Sequence, residues 1–110
     1  MAERLDGWQL SEQQLLAMIK ALHLGKRWHD SIGPMVDFLK RFPDRAARMR
    51  LKLAQILLLH ENRPSRALAV LGKIPSGSLD ADLEKLRGQL LRRAEAMLEE
   101  GEIELAGEDW

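Results

Sequence analysis

The 110-residue chain contains no cysteine and no tyrosine, and it has only two phenylalanines. Without cysteine the chain has neither a disulfide framework nor thiolate chemistry, which excludes a disulfide-stapled secreted mini-domain. The apolar residues are mainly leucine and alanine, which favour helix over sheet. We therefore expect an all-α fold.

Long apolar runs and targeting signals are also missing. No apolar stretch approaches the roughly 20 residues that a membrane-spanning helix needs. Glu3 and Asp6 stand where a signal peptide would have its apolar region. We therefore expect a cytoplasmic location, with the alternative that the chain is a soluble piece of a larger protein.

The sequence has none of the common catalytic or metal-binding motifs. Its three histidines, His23, His29 and His60, lie in separate segments, and none has a second histidine at the spacing of a zinc-binding helix. There is no Gly-x-Ser-x-Gly nucleophile elbow and no glycine-rich phosphate loop. We therefore predict a protein that is not an enzyme and needs no metal or cofactor.

Charge is balanced overall but unevenly distributed. Between residues 40 and 73 there are nine lysines or arginines and two acidic residues, whereas residues 95–110 hold seven acidic residues and no basic one. Either both regions are solvated, or the acidic tail or an acidic partner covers the basic face. At this length we expect one helical domain over residues 1–101, followed by an acidic tail over 102–110.

Helical periodicity predicts five helices. Four of them run over residues 11–24, 26–41, 45–60 and 79–100, and the fourth in chain order begins at Pro64 and is stopped by Gly72. Ser11 and Gln14 form a capping box at the start of the first helix. Gly25 is expected to end that helix in a left-handed conformation. Because Pro34 follows Gly33, we expect the second helix to be continuous but bent.

The third predicted helix organises the chain. Its apolar residues extend well beyond half of the circumference, which is typical of a helix contacted on two sides. The fifth helix has one apolar and one charged face, as expected at the end of a stack. We therefore place the first two helices on one side of the third and fourth, and the fifth helix on the other side.

Residues 42–75 form a helix–turn–helix unit bounded by prolines, and the first two helices align on it at a shift of 36 residues, which places Ser31 on Ala67. This unit resembles the tetratricopeptide repeat (TPR), a 34-residue helix–turn–helix pattern. Leu53-Ala54 match its Leu-Gly pair, and Pro75 matches its closing proline. The residues of the first unit that match second-helix positions are Trp28, Ser31, Met35, Phe38 and Pro43.

The chain also departs from the repeat. Arg50 stands where the first large aromatic residue belongs, and Met18 stands where a small residue belongs. Each turn is about one residue longer than in the consensus. A generic α–α superhelix therefore stays open beside the TPR-like fold, a right-handed superhelix of about two hairpins with a C-terminal capping helix.

In proteins of this family the first helices of successive repeats line a concave groove, so the resemblance implies a peptide-binding groove here. Its predicted residues are Arg48, Leu51, Lys52, Gln55 and Leu59 from the third helix, and Glu12, Leu15, Ile19 and His23 from the first. Arg48 and Lys52 lie one turn apart and would bind a carboxylate. The expected function is a non-catalytic adaptor or scaffold that binds an acidic peptide or C-terminus of another protein.

Three alternatives remain open. The whole chain also resembles the soluble helical tails that follow rhomboid-type membrane proteases, although no single motif carries this resemblance. It implies a cytosolic regulatory domain tethered to a membrane protein.

Nucleic-acid binding is the second alternative. The basic residues between 40 and 52 would contact the phosphates, although the neutral net charge of the chain disfavours this function. Weak self-association through Trp8, Trp110 and the uncovered side of the first helix is the third alternative.

Overall fold

The computed structural model describes residues 10–100, and no strand occurs in this range. The helices are α1 (Glu12–Leu24), α2 (Trp28–Arg41), α3 (Ala47–Leu59), α4 (Pro64–Gly72) and α5 (Ala81–Glu99), with a 3-10 turn at Pro43–Arg45. The predicted all-α fold with five α-helices is confirmed. The predicted acidic tail, Trp8 and Trp110 lie outside the described residues.

The first turn of α1 is closed by the predicted capping box. Ser11 Oγ accepts a hydrogen bond from the Gln14 N–H at 3.1 Å, and Gln14 Oε1 accepts one from the Ser11 N–H at 2.9 Å. The first N–H groups of a helix, which include those of Ser11 and Gln14, have no hydrogen-bond partner within the helix, and the capping box supplies one for each of these two. This local pattern could therefore be identified from the sequence alone.

The predicted left-handed conformation at Gly25 is wrong. Gly25 has φ −84°, and the positive φ of 59° belongs to Lys26. The Arg27 N–H donates to the Leu22 carbonyl at 2.8 Å, so the reversal is a Schellman motif in which the left-handed position follows the cap residue. Because Lys26 lies in this reversal, α2 begins at Trp28 rather than at residue 26.

Two further helices, α3 and α5, begin later than predicted. The prediction that the second helix continues through Pro34 is confirmed. α3 begins at Ala47 because the preceding Pro43–Arg45 forms a 3-10 turn. α5 begins at Ala81 because Asp80 Oδ1 caps it, accepting from the Leu83 N–H at 2.9 Å. α2 runs through Pro34 without interruption, although a proline cannot supply the N–H of an intrahelical hydrogen bond.

The core is centred on α3. α1 packs on α2 and α3 packs on α4, α2 packs on α3, and α5 packs on both α3 and α4. The expectation that α3 is contacted on more than one side is confirmed. Its buried residues are Leu51, Leu53, Ala54, Ile56, Leu57 and Leu58. α5 buries one stripe on the same core, formed by Leu90, Ala94 and Met97.

Two gaps between helices, one on either side of α3, position the candidate sites. No Cα atom of α1 lies within 8 Å of one in α3, and the same is true of α2 and α4. Each gap leaves an open space beside α3 that is lined by side chains. No helix in residues 10–100 combines the length and apolar character that crossing a membrane requires.

Candidate functional site

The gap between α1 and α3 contains an open groove of about 440 Å³. This volume lies within the range of about 300–1,000 Å³ typical of ligand pockets. The residues that line this α1–α3 groove are Leu16, Ile19, Lys20, His23 and Leu24 from α1, and Arg48, Met49 and Lys52 from α3. No acidic residue is among them, so the lining is apolar and positively charged.

Burial separates the base of the groove from its edges. Ile19 is 4% exposed and forms part of the core. Lys20, Arg48 and Lys52 are exposed, and each can direct its charge toward solvent above the apolar surface. Leu24 remains 77% exposed. The groove therefore offers an apolar contact surface with three permanent cations at its edges.

Four of the predicted groove residues lie together in this groove, namely Ile19, His23, Arg48 and Lys52. The other predicted residues of α3 lie elsewhere. Leu51 is buried in the core at 3% exposure, Gln55 is half-buried, and Leu59 is 48% exposed. None of these three is part of the lining, because α2, α4 and α5 contact other sides of α3.

The two remaining α1 residues considered from the sequence do not line the groove either. Leu15 is 2% exposed and belongs to the core. Glu12 forms an ion pair with Arg45, which joins the start of α1 to the 3-10 turn before α3. Neither Glu12 nor Arg45 lines the α1–α3 groove.

Sequence analysis missed four lining residues, which are Leu16, Lys20, Leu24 and Met49. Leu16, Lys20 and Leu24 follow one another at steps of four, so they form one stripe along α1. Leu16 and Leu24 lie beside the apolar face that packs on α2. Exposed leucines outside the main apolar face were the available signal for this second face.

An aromatic and cationic cluster lies where α1 turns into α2. The Trp28 ring stacks on His60 with centroids 4.6 Å apart and an interplanar angle of 12°. Trp28 also lies 5.2 Å from the His23 ring, and the Lys52 Nζ is 5.7 Å from its centroid. The cluster thus joins α1, α2 and α3 through side chains, and two of its members also line the groove.

The hydrogen bonds of Ser31 define the tautomer of His23. Ser31 Oγ donates its single hydrogen to the Trp28 carbonyl at 2.7 Å. It therefore accepts from His23 Nε2–H, which lies 3.0 Å away. In the neutral ring Nδ1 then has no proton and is an acceptor, and protonation there would add a fourth positive charge to the α1–α3 groove.

We expect His23 to titrate below the usual value of 6.5. Burial lowers the pKa of His23, and the positive charge of Lys52 lowers it further. The neutral ring therefore stabilises the fold above pH 6.5, and this contribution is lost as the pH falls through the lowered pKa. A titration followed by NMR should place the His23 midpoint below 6.5, and Lys52→Met should raise it without restoring 6.5.

His29 provides the internal control for that titration. Its Nδ1 lies 2.9 Å from Glu61 Oε1, and the hydrogen bond with Glu61 and the negative charge of Glu61 raise the pKa of His29. Glu61→Gln should therefore lower the His29 midpoint and leave the His23 midpoint in place. A His23 midpoint at or above 6.5 in the wild type would contradict the assignment.

The basic segment between residues 40 and 52 does not form one surface. Arg41 donates to the Leu10 carbonyl and forms an ion pair with Asp37 at 3.4 Å. Arg45 is paired with Glu12. The remaining cations divide between the α1–α3 groove, with Arg48 and Lys52, and the gap between α2 and α4, with Lys40 and Arg50.

Comparison of the chain with protein-family models, curated proteins and solved structures finds no match in any of the three. In the described part of the chain, no three histidine or acidic side chains are close enough together to hold a metal ion.

Proposed function

We propose that the chain is a non-catalytic interaction domain that binds an acidic peptide segment or C-terminus of another protein in the α1–α3 groove. One observation carries the proposal: an apolar groove with Lys20, Arg48 and Lys52 at its edges and no acidic residue in its lining. A ligand that combines apolar side chains with carboxylates is complementary to this surface.

Each part of the groove has a distinct role in this proposal. Apolar side chains of the ligand bury the exposed surface of Leu16 and Leu24, at about 25 cal/mol per Å² removed from water. Carboxylates of the ligand pair with Arg48 and Lys52, which lie one helical turn apart. The exposed cations steer the encounter and set the orientation of the ligand more than they add affinity.

Arg48 is available for such a contact. Its Nη2 lies 3.8 Å from Asp80 Oδ2, and the two side chains are 80% and 59% exposed. An ion pair that is this long and this exposed contributes little to stability, so a ligand carboxylate can replace Asp80 at small cost.

The helix pairing supports a wider proposal about the class of protein. Two hairpins, α1–α2 and α3–α4, followed by α5 on the same core, are the order expected of a TPR-like adaptor or scaffold. We extend the proposal to a cytoplasmic adaptor of this kind. A cytosolic regulatory domain of a membrane protein would use the same groove. A membrane-spanning segment elsewhere in the natural protein would distinguish this alternative from a free adaptor.

The test uses a fluorescent peptide of alternating leucine and glutamate with a free C-terminal carboxylate. Anisotropy should show saturable binding to the full chain at low salt, and Arg48→Glu combined with Lys52→Glu should weaken it by about tenfold or more, because two attractive contacts become repulsive. Peptides with glutamine for glutamate, or serine for leucine, should also bind more weakly, because the first lacks the carboxylates and the second lacks the apolar side chains.

The matched control combines Lys85→Glu and Arg92→Glu, which change the net charge equally on the exposed face of α5. This variant should retain wild-type affinity for the peptide. Equal losses in both double variants would mean that only net charge matters, and the groove assignment would then be wrong. Single-stranded nucleic acid is titrated in parallel, and tight binding of it instead of the peptide would also overturn the proposal.

A further inference from the structure

A second pocket lies on the other side of α3, in the gap between α2 and α4. Its volume is about 220 Å³, which is below the range of about 300–1,000 Å³ typical of drug-sized ligands. Its lining residues are Val36, Leu39 and Lys40 from α2, Arg50 from α3, and Val70 and Lys73 from α4 and the residue after it. This α2–α4 pocket has room for a small ligand only.

Three cations from different segments of the chain meet in the α2–α4 pocket, and no carboxylate lines it. Lys40 lies near the end of α2, Arg50 in the first turns of α3, and Lys73 just after α4. Neither Lys40 nor Arg50 forms an ion pair with a carboxylate in residues 10–100. Positive charge from three directions around an apolar wall favours an anion.

Arg50 adds an observation that points to a ligand. Its Nε is buried and has no hydrogen-bond partner among residues 10–100. A buried donor without an acceptor costs about 1–3 kcal/mol, and more when the group is charged. An oxyanion in the pocket would supply this acceptor, and a guanidinium is well suited to bind phosphate through two parallel N–H groups.

The α2–α4 pocket is separate from the α1–α3 groove. Arg50 is two positions from both Arg48 and Lys52, which places it about 200° around α3 from each of them. The two sites have no lining residue in common. A ligand in one site therefore leaves the other site free, and their variants can be tested independently.

We propose that the α2–α4 pocket is a binding site for a phosphate group, in which Lys40, Arg50 and Lys73 surround the oxygens. A dianion neutralises more of this charge than a carboxylate does, and its oxygens extend toward donors in several directions. Val36, Leu39 and Val70 provide an apolar wall for a small substituent. The ligand is thus inorganic phosphate or a small phosphate monoester.

The test measures backbone amide shifts by NMR as inorganic phosphate is added to the full chain, with ionic strength held constant by sodium chloride. Saturable shifts should centre on residues 36–40, 50 and 70–73. Arg50→Gln should weaken binding by about tenfold or more because it removes charge-assisted hydrogen bonds. Arg50→Lys should restore only part of the affinity, because lysine keeps the charge without the Nε–H donor.

Three further variants make the result specific. Lys40→Gln changes an exposed residue and should weaken phosphate binding without affecting the fold. Arg92→Gln on α5 and the groove variant Arg48→Glu with Lys52→Glu should both leave it unchanged. Glycerol phosphate is titrated in parallel; tighter binding than that of phosphate identifies a monoester as the ligand, and equal binding identifies the inorganic ion.

Shifts that sodium chloride alone reproduces would overturn the proposal. So would a phosphate affinity that neither Arg50→Gln nor Lys40→Gln changes. The proposed peptide function fails on different evidence, namely the anisotropy of the acidic peptide, so the two failures can be told apart.

Discussion

Leu57→Ala is expected to lower the free energy of unfolding by about 2–5 kcal/mol. Leu57 is fully buried in the last turn of α3, the helix that packs on α2, α4 and α5. Removing its side chain leaves a cavity in the packed core, and the surrounding structure relaxes into it only partially. A domain of this size is stable by only about 5–15 kcal/mol, so the loss is a large share of the total.

Urea denaturation followed by far-UV circular dichroism measures this loss as a change in the midpoint. Leu59→Ala is the matched control because Leu59 lies in the same helix, two positions away, and is 48% exposed. Its loss should stay well below that of Leu57→Ala, since half of its surface is already in water. Equal losses for the two variants would contradict the placement of α3 at the centre of the core.

Ala67→Leu is expected to destabilise the protein by about 1–3 kcal/mol through overpacking. Ala67 is fully buried in α4, which packs on both α3 and α5. A larger side chain has no room at this buried position and forces the neighbouring side chains or helices to shift. Helix propensity does not oppose this effect strongly, because leucine is nearly as favourable in a helix as alanine.

Ala69→Leu is the control for this substitution. Ala69 lies in the same helix and is exposed, so a leucine there meets solvent and should change stability by less than about 0.5 kcal/mol. Thermal unfolding of the two variants under the same conditions gives the comparison. A stabilised Ala67→Leu variant would mean that α4 does not approach its neighbours as closely as the structure has it.

Local sequence patterns were sufficient where a short stretch of backbone decides the outcome. The capping box at Ser11 and the start of α4 at Pro64 depend on residues within one turn, and both were predicted correctly. The reversal after α1 was misplaced by one residue because glycine preference identified Gly25, whereas the backbone hydrogen bonds require the left-handed conformation at Lys26. The conformational preference of glycine thus identifies the turn after α1, but it does not identify which residue of the turn adopts the left-handed conformation.

The candidate groove was predictable only in part. The resemblance to the repeat implied Ile19, His23, Arg48 and Lys52, and these four residues line the groove. The same resemblance implied Leu51, yet the core buries it. Which side of α3 is left open depends on where α2, α4 and α5 pack, and this information is spread over the whole chain.

The sequence by itself determined that the chain is all-α, how many helices it forms, and that α3 lies at the centre. These properties follow from periodicity and composition, which act over one or two turns. Only the tertiary structure decided that α1 stays apart from α3 and α2 from α4. It thereby divided one basic segment between two sites on opposite sides of α3. The reason is physical: residues adjacent in a helix point in different directions, so their surroundings depend on packing between distant segments.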